Sequence, residues 1–132
     1  MATTTATKTA RTVVASTAQA GGATTRGTLN LATAMGALVT VKMANGATAP
    51  TTACKANILV AHSSTTPAAG SAGVDWKTFA VVTGSTTAST TTERAIELPA
   101  SVMQACIEFT GNDTQPVTVE SFASELTSIA TS

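Results

Sequence analysis

Short stretches in which apolar and polar residues alternate recur along this chain, and clusters of Gly, Pro, Asn and Ser separate them. In residues 54–62 every second residue from Cys54 to Val60 is apolar, and residues 102–112 alternate in the same way as far as Phe109. A period of two is typical of a β-strand, because successive side chains point to opposite faces of the sheet. Residues 121–130 could carry at most one helical turn, since Thr and Ser are weak helix formers.

The number and spacing of these stretches predict the fold class. About seven or eight short strands, with turn signals every 8–15 residues, favour an antiparallel all-β sandwich of Greek-key or jelly-roll type. In the last strand Val117 and Val119 share one face and Phe122 lies on the other, so we expect a bulge or twist there. The candidate strands are residues 12–18, 29–31, 36–43, 54–62, 75–84, 94–99, 102–112 and 117–126.

The N-terminal segment differs from the rest. Residues 1–27 are almost entirely Thr, Ala, Ser and Gly, and Val13 and Val14 are their only adjacent pair of large apolar residues. So little apolar surface cannot offset the entropy of ordering the segment alone. We therefore expect an extended arm over residues 1–27 that adds a short strand to a neighbouring subunit, and a β-sandwich domain over residues 28–132 that folds without it.

Charge is unevenly distributed although the net charge is zero. Residues 1–74 contain five basic residues and no acidic one, whereas residues 75–132 contain seven acidic and two basic residues. This split is compatible with chance in a small set of charges, or with complementary contacts between subunits. The residues that we expect to make subunit contacts are Lys8, Arg11, Val13, Val14 and Arg26.

The sequence contains no recognisable reaction centre. His62 is the single histidine, and no Gly-x-Ser-x-Gly elbow, phosphate-binding loop or metal-ligand spacing is present. Glu93 and Glu97 lie two strand steps apart, and Glu108 and Glu120 are expected on adjacent strands; both pairs are typical of a solvated sheet face. We therefore expect no enzymatic activity, no catalytic residue, no cofactor and no metal.

The remaining chemistry-bearing residues have structural interpretations. Cys54 and Cys106 lie in strand-like runs far apart in sequence, and no segment resembles an export signal, so we expect free, mostly buried thiols. Trp76 begins a strand and could stack on a sugar, but a single Trp without Tyr favours packing at the edge of the core. No basic cluster interleaved with aromatics suggests nucleic-acid binding, and no segment approaches the length of a membrane span.

Four segments carry a resemblance to a known family. They are LNLATAMGALVTVKMANGATAP at 29–50, DWKT at 75–78, LPASV at 98–102 and GNDTQPVTVE at 111–120. From about residue 28 to 122 the chain resembles small β-sandwich virion structural proteins of tailed bacteriophages, including capsid decoration and tail-associated proteins. The shared elements are turns and core positions rather than reactive groups.

The resemblance implies a non-enzymatic virion structural protein, and favours a capsid decoration (cement) protein that binds and reinforces the assembled shell. The alternatives are a tail, collar or baseplate component and a carbohydrate-binding module for host attachment. The implied partners are the major capsid protein, copies of this chain or both, in a large symmetric particle, with no nucleic acid and no membrane. The implied location is the virion, assembled in the host cytoplasm.

Overall fold

The computed structural model describes residues 3–68 and 75–131. Within these ranges the ordered elements are eight β-strands without a helix, as the alternation predicted. The strands are β1 (Thr4–Gln19), β2 (Thr25–Asn30), β3 (Ala37–Asn45), β4 (Lys55–Ala61), β5 (Lys77–Thr83), β6 (Thr91–Leu98), β7 (Gln104–Thr110) and β8 (Val117–Thr131).

The strands form two antiparallel four-stranded sheets that pack face to face. Sheet A has the order β1-β8-β3-β6 and sheet B has the order β2-β7-β4-β5. Each sheet thus alternates strands from the two halves of the chain, which is the double Greek-key order of a jelly roll. The predicted antiparallel sandwich is confirmed.

The main core fills the space between the sheets. The inward side chains of β3 and β7 are fully or almost fully buried, and each set follows the alternation in the sequence. Burial of these apolar side chains is the main force that holds the two sheets together. The inward residues of the two strands are Ala37, Val39, Val41 and Met43 in β3 and Ala105, Ile107 and Phe109 in β7.

A second, smaller cluster lies on the outer face of sheet B. Trp76 is buried there against Leu59, Ala61 and Cys106, and its indole Nε1 donates a hydrogen bond to the carbonyl oxygen of Ala68 at 3.1 Å. Because this cluster covers part of the outer face, β7 is buried on both faces. Trp76 is buried, as predicted, but in this outer cluster rather than at the edge of the main core, and its ring is not available for stacking on a sugar.

Strand β8 departs from the sequence prediction in two ways. It continues as a strand to Thr131, with no helical turn over residues 121–130. Its register with β3 has no shift, and Phe122 faces outward by simple alternation, so the expected bulge is wrong on this side. The register shifts occur in the pairing with β1 instead, one of them between Thr12 and Val14.

Strand β1 corrects the expectation of a separate arm. Residues 4–19 form the edge strand of sheet A, paired antiparallel with β8 of the same chain from Thr4↔Thr131 to Gln19↔Val117. Strand β2 runs through the expected boundary at residue 27 without a break. The segment is ordered because β8 offers it a long row of main-chain hydrogen-bonding groups, which a count of apolar residues does not register.

Polar side chains fix the end of the sandwich where β1 finishes. The buried Gln19 donates from Nε2 to Oδ1 of the buried Asn112 at 2.7 Å, and Asn112 donates to the carbonyl oxygens of Gln19 and Gln115. Nearby, the hydroxyl of Thr51 and the amide of Thr52 donate to the Asp113 carboxylate. The Thr51 hydrogen bond is the main cause of the lowered pKa of Asp113.

Candidate docking face on sheet A

The two arginines predicted to contact another subunit have partners in their own chain. Arg11 Nε lies 3.0 Å from Glu125 Oε1, and Glu125 is almost fully buried. Arg26 Nε lies 2.7 Å from Glu108 Oε2, and Asn57 Nδ2 donates to the other carboxylate oxygen of Glu108 at 3.1 Å. Each arginine therefore neutralises a buried carboxylate of the sandwich itself, which would otherwise be strongly destabilising.

The other three predicted contact residues differ in burial. Val14 belongs to the main core, and Val13 is half-buried against it. Lys8 is exposed where β1 runs beside Leu126 of β8. The valines thus anchor β1 to its own domain, and a contact of any of these residues with another subunit stays a prediction.

The uneven charge distribution has an intramolecular explanation. The ion pairs of Arg11, Arg26 and Lys42 each join a cation from the first half of the chain to a carboxylate from the second half, and Lys42 pairs with both Glu93 at 3.7 Å and Glu120 at 3.5 Å. The jelly roll causes this, because its sheets place early strands directly beside late ones. The charge split therefore does not require an acidic neighbouring subunit.

The candidate acid and base residues do not form a reaction centre within the described ranges. Glu108 and Glu120, expected on adjacent strands, lie in different sheets, and Glu93 is paired with Lys42 on an exposed face. His62 is exposed just after β4. Among the described residues no three His, Cys, Asp or Glu side chains are grouped as metal ligands.

The outer face of sheet A carries the largest exposed apolar side chains at the centre of a sheet. Phe122 of β8 is 43% exposed and Leu38 of β3 is 47% exposed. The register sets Phe122 beside Thr40 and Leu38 beside Ser124. Nothing in the described chain covers these side chains, in contrast to the cluster on the outer face of sheet B. We refer to the surface around Phe122 and Leu38 as the sheet A face.

Three shallow grooves run together across the sheet A face. Two of them, of about 380 and 400 Å³, share Thr40 and Phe122 as common walls. The third, of about 730 Å³, meets the second at Leu38 and Ser124 and continues past Met35. They form a continuous apolar furrow along the strands, in which a flat or extended surface could bury Phe122 and Leu38.

Charged residues line this furrow at both ends, and Arg11 lines its middle groove. One end is lined by Lys42 and Arg94, and the ammonium group of Lys42 lies between the carboxylates of Glu93 and Glu120. At the other end Lys8 and Glu97 line opposite parts of the third groove. Exposed apolar side chains with polar and charged residues around them are the usual anatomy of a protein docking surface. In the sequence, Phe122 falls on the opposite face of β8 from Val117 and Val119. This alternation is the one sequence feature that pointed to the site.

The two thiols are free and buried, as predicted. Cys54 faces the main core and Cys106 belongs to the outer cluster on sheet B. Burial is the main cause that raises the pKa of each thiol from 9.0 to about 11. The thiolate is the reactive form, so both cysteines are protected from modification in the folded chain.

We expect the folded protein to lose stability between pH 9 and about 11. In this range the unfolded chain releases thiol protons that the folded chain retains, so the free energy of unfolding falls as the pH rises. Urea unfolding at several pH values should show a steeper fall for the natural chain than for a Cys54→Ala/Cys106→Ala variant. If the free energy of unfolding fell equally with pH in the two proteins, the raised pKa values of the thiols would be contradicted.

The strand order of the two sheets defines the architectural class of this protein. The double-sheet jelly roll is an architecture that viral capsid and lectin domains use. No protein-family model matches the chain, and no curated protein matches its sequence. The described residues contain no helix long and apolar enough to cross a membrane.

Solved structures are similar in fold. The K3 adhesin domain of Lys-gingipain from Porphyromonas gingivalis superposes with a TM-score of 0.55 at 12% identity, covering 83% of this chain and 71% of that domain. The Gx strain structure of infectious bursal disease virus gives 0.52 at 14% identity, and the VP2 subviral particle of the same virus gives 0.52 at 12%. Both viral matches cover 92% of this chain but only 32% of the viral chain. At these identities the similarity shows the jelly-roll fold.

Proposed function

We propose that this chain is a virion structural protein, and specifically a decoration protein that docks its sheet A face on an assembled capsid shell and reinforces it. The observation that carries the proposal is the uncovered pair Phe122 and Leu38 at the centre of that face. A contiguous apolar furrow on a small domain marks an interaction surface. We propose the capsid shell as the partner, and the virion, assembled in the host cytoplasm, as the location, because the sequence resembles virion proteins of tailed bacteriophages.

The composition supports a role inside an assembly. Only 11% of the residues are charged, and most of the polar surface is supplied by Thr and Ser. Such a surface is a weak solubiliser by itself but is compatible with packing against other subunits. A tail, collar or baseplate component would use the same face, and the number of copies in each particle separates the two roles. Hundreds of copies support decoration, and about a dozen or fewer support a tail position.

We expect Phe122→Glu to abolish or strongly reduce attachment of the chain to bare particles. The substitution replaces the apolar ring at the centre of the furrow with a carboxylate, which docking would have to remove from water. Attachment is measured by sedimenting particles with added chain and quantifying the bound fraction.

The matched control is Ile129→Glu, which alters a comparably exposed apolar side chain far along β8. It should attach like the natural chain. Unchanged attachment of Phe122→Glu, with an unchanged melting temperature, would exclude the sheet A face as the docking surface.

A second candidate function is carbohydrate binding for host attachment. Phe122 favours it, because an exposed ring beside the Thr40 hydroxyl and the Lys42 ammonium group could stack on a sugar and hydrogen-bond its hydroxyls. Binding of soluble glycans by the isolated chain, lost in Phe122→Ala, would favour this function over decoration. Absence of glycan binding together with particle attachment would favour decoration.

A further inference from the structure

A second apolar site lies on a different part of the molecule, at the free edge of sheet B. Strand β5 pairs with β4 on one side only, and no strand of the described chain pairs with its other side. Phe79 is 43% exposed and Val81 is 50% exposed, whereas Val82 points into the core. An edge strand with exposed main-chain groups and apolar side chains is a template for pairing with another strand.

The sequence of β5 is complementary to itself in the antiparallel direction. When two copies pair with Ala80 opposite Ala80, Phe79 of each copy lies opposite Val81 of the other. Against β4 the strand has a register shift at Phe79, between the pairs Ile58↔Ala80 and Leu59↔Thr78, so the new strand pair must accommodate one irregular residue in each copy. Residues directly opposite in an antiparallel pair share a face, and aromatic residues beside β-branched ones are favourable pairs. Lys77 lies opposite Thr83, so no like charges meet.

The two edges of sheet A lack this complementarity. Centred self-pairing of β6 sets either Arg94 opposite Arg94 or Glu93 opposite Glu97, depending on the register. Of the two centred registers of β1, one sets Arg11 opposite Arg11, and the other sets Arg11 opposite Val13 with the two Arg11 side chains as diagonal neighbours on one face. Like charges directly opposite each other destabilise a strand pair.

The remaining edge, β2, is crowded by the chain itself. There β1 lies against β2 so closely that Gly27 touches the carbonyl oxygen of Val13. Of the four sheet edges, β5 is therefore the one whose charges and surroundings favour a second copy of this chain.

We propose that two copies of this chain associate through β5, antiparallel and centred on Ala80, and join their B sheets into one eight-stranded sheet. The interface is two-fold symmetric, so each contact occurs twice. It leaves the sheet A face of both copies free, and the dimer would therefore present two docking faces. The proposal does not depend on the function of the sheet A face.

The test is designed around the register and uses the isolated full chain in sedimentation velocity over a wide concentration range. Phe79→Lys/Val81→Glu places Lys opposite Glu at both symmetric positions, whereas Phe79→Lys/Val81→Lys places Lys opposite Lys. Both variants lose the same two apolar side chains. We expect the natural chain to dimerise, the Lys/Lys variant to bind itself at least about tenfold more weakly, and the Lys/Glu variant to recover much of the difference.

One control variant and two possible outcomes test the proposed β5 interface. Leu38→Lys, on the sheet A face, should dimerise like the natural chain, which separates this interface from the docking surface. A natural chain that stays monomeric at every concentration overturns the proposal. Equal dimerisation of the Lys/Lys and Lys/Glu variants overturns the register, and with it the assignment of β5.

Discussion

Deleting residues 1–20 is expected to unfold most of the protein at room temperature. The deletion removes the whole of β1, which leaves the edge of β8 unpaired and removes Val14 from the core, worth roughly 1.5–3 kcal/mol. It also removes Gln19 and Ala20, and leaves Asn112 buried without its hydrogen bonds to these two residues. Together with the lost main-chain bonds, these terms approach the total stability of a small domain, about 5–15 kcal/mol.

A shorter deletion provides the matched control. Residues 4–8 pair only with the part of β8 beyond Glu125, past the point where β3 ends its pairing with β8. Removing residues 1–8 should therefore change the melting temperature little, whereas removing residues 1–20 should abolish the cooperative transition seen by circular dichroism. A 1–20 deletion that melts like the full chain would show that β1 is a dispensable arm, as the sequence alone suggested.

Gly27→Ala is expected to destabilise the fold by about 3 kcal/mol or more, the upper part of the range for overpacking a tight site. A Cβ atom on Gly27 would lie 2.0 Å from the carbonyl oxygen of Val13. The obstacle is main chain, so β1 and β2 must move apart, and Val14 is displaced from the core with them. Chemical denaturation measures the change as a lower midpoint.

Gly46→Ala is the control for this substitution. Its Cβ would meet nothing within 4 Å, and the residue has no positive φ. We expect a neutral effect or a gain of about 0.4–1 kcal/mol, since Ala restricts the unfolded chain more than Gly does. If both substitutions gave the same small change, the close approach of β1 to β2 would be wrong.

Local sequence was sufficient for much of the fold. Alternation and turn signals placed β3 to β8, alternation assigned the apolar faces of β4 and β7, and it set Phe122 apart from Val117 and Val119 of β8. It also predicted two buried, free thiols. These features depend on the period of two, which is a property of each strand by itself.

The candidate site needed more than local pattern. The sequence placed Phe122 on a different face from Val119, but an outward side chain can be covered, as Trp76 and Cys106 are on sheet B. Only the packed structure shows that nothing in the described chain covers Phe122 and Leu38. The same reasoning applies to Phe79 and Val81. Their sequence is that of an ordinary strand, and only the structure shows that β5 lies at a sheet edge.

By itself, the sequence determined the all-β class, the strand faces and the absence of a recognisable reaction centre. The tertiary structure decided that residues 4–19 belong to the domain and that Arg11, Arg26 and Lys42 of the first half pair with carboxylates of the second half within one chain. Both decisions depend on strand pairs far apart in sequence, such as Thr4 with Thr131. Main-chain hydrogen bonds stabilise such pairs whatever the side chains are, so a Thr-rich segment carries no local mark of its partner.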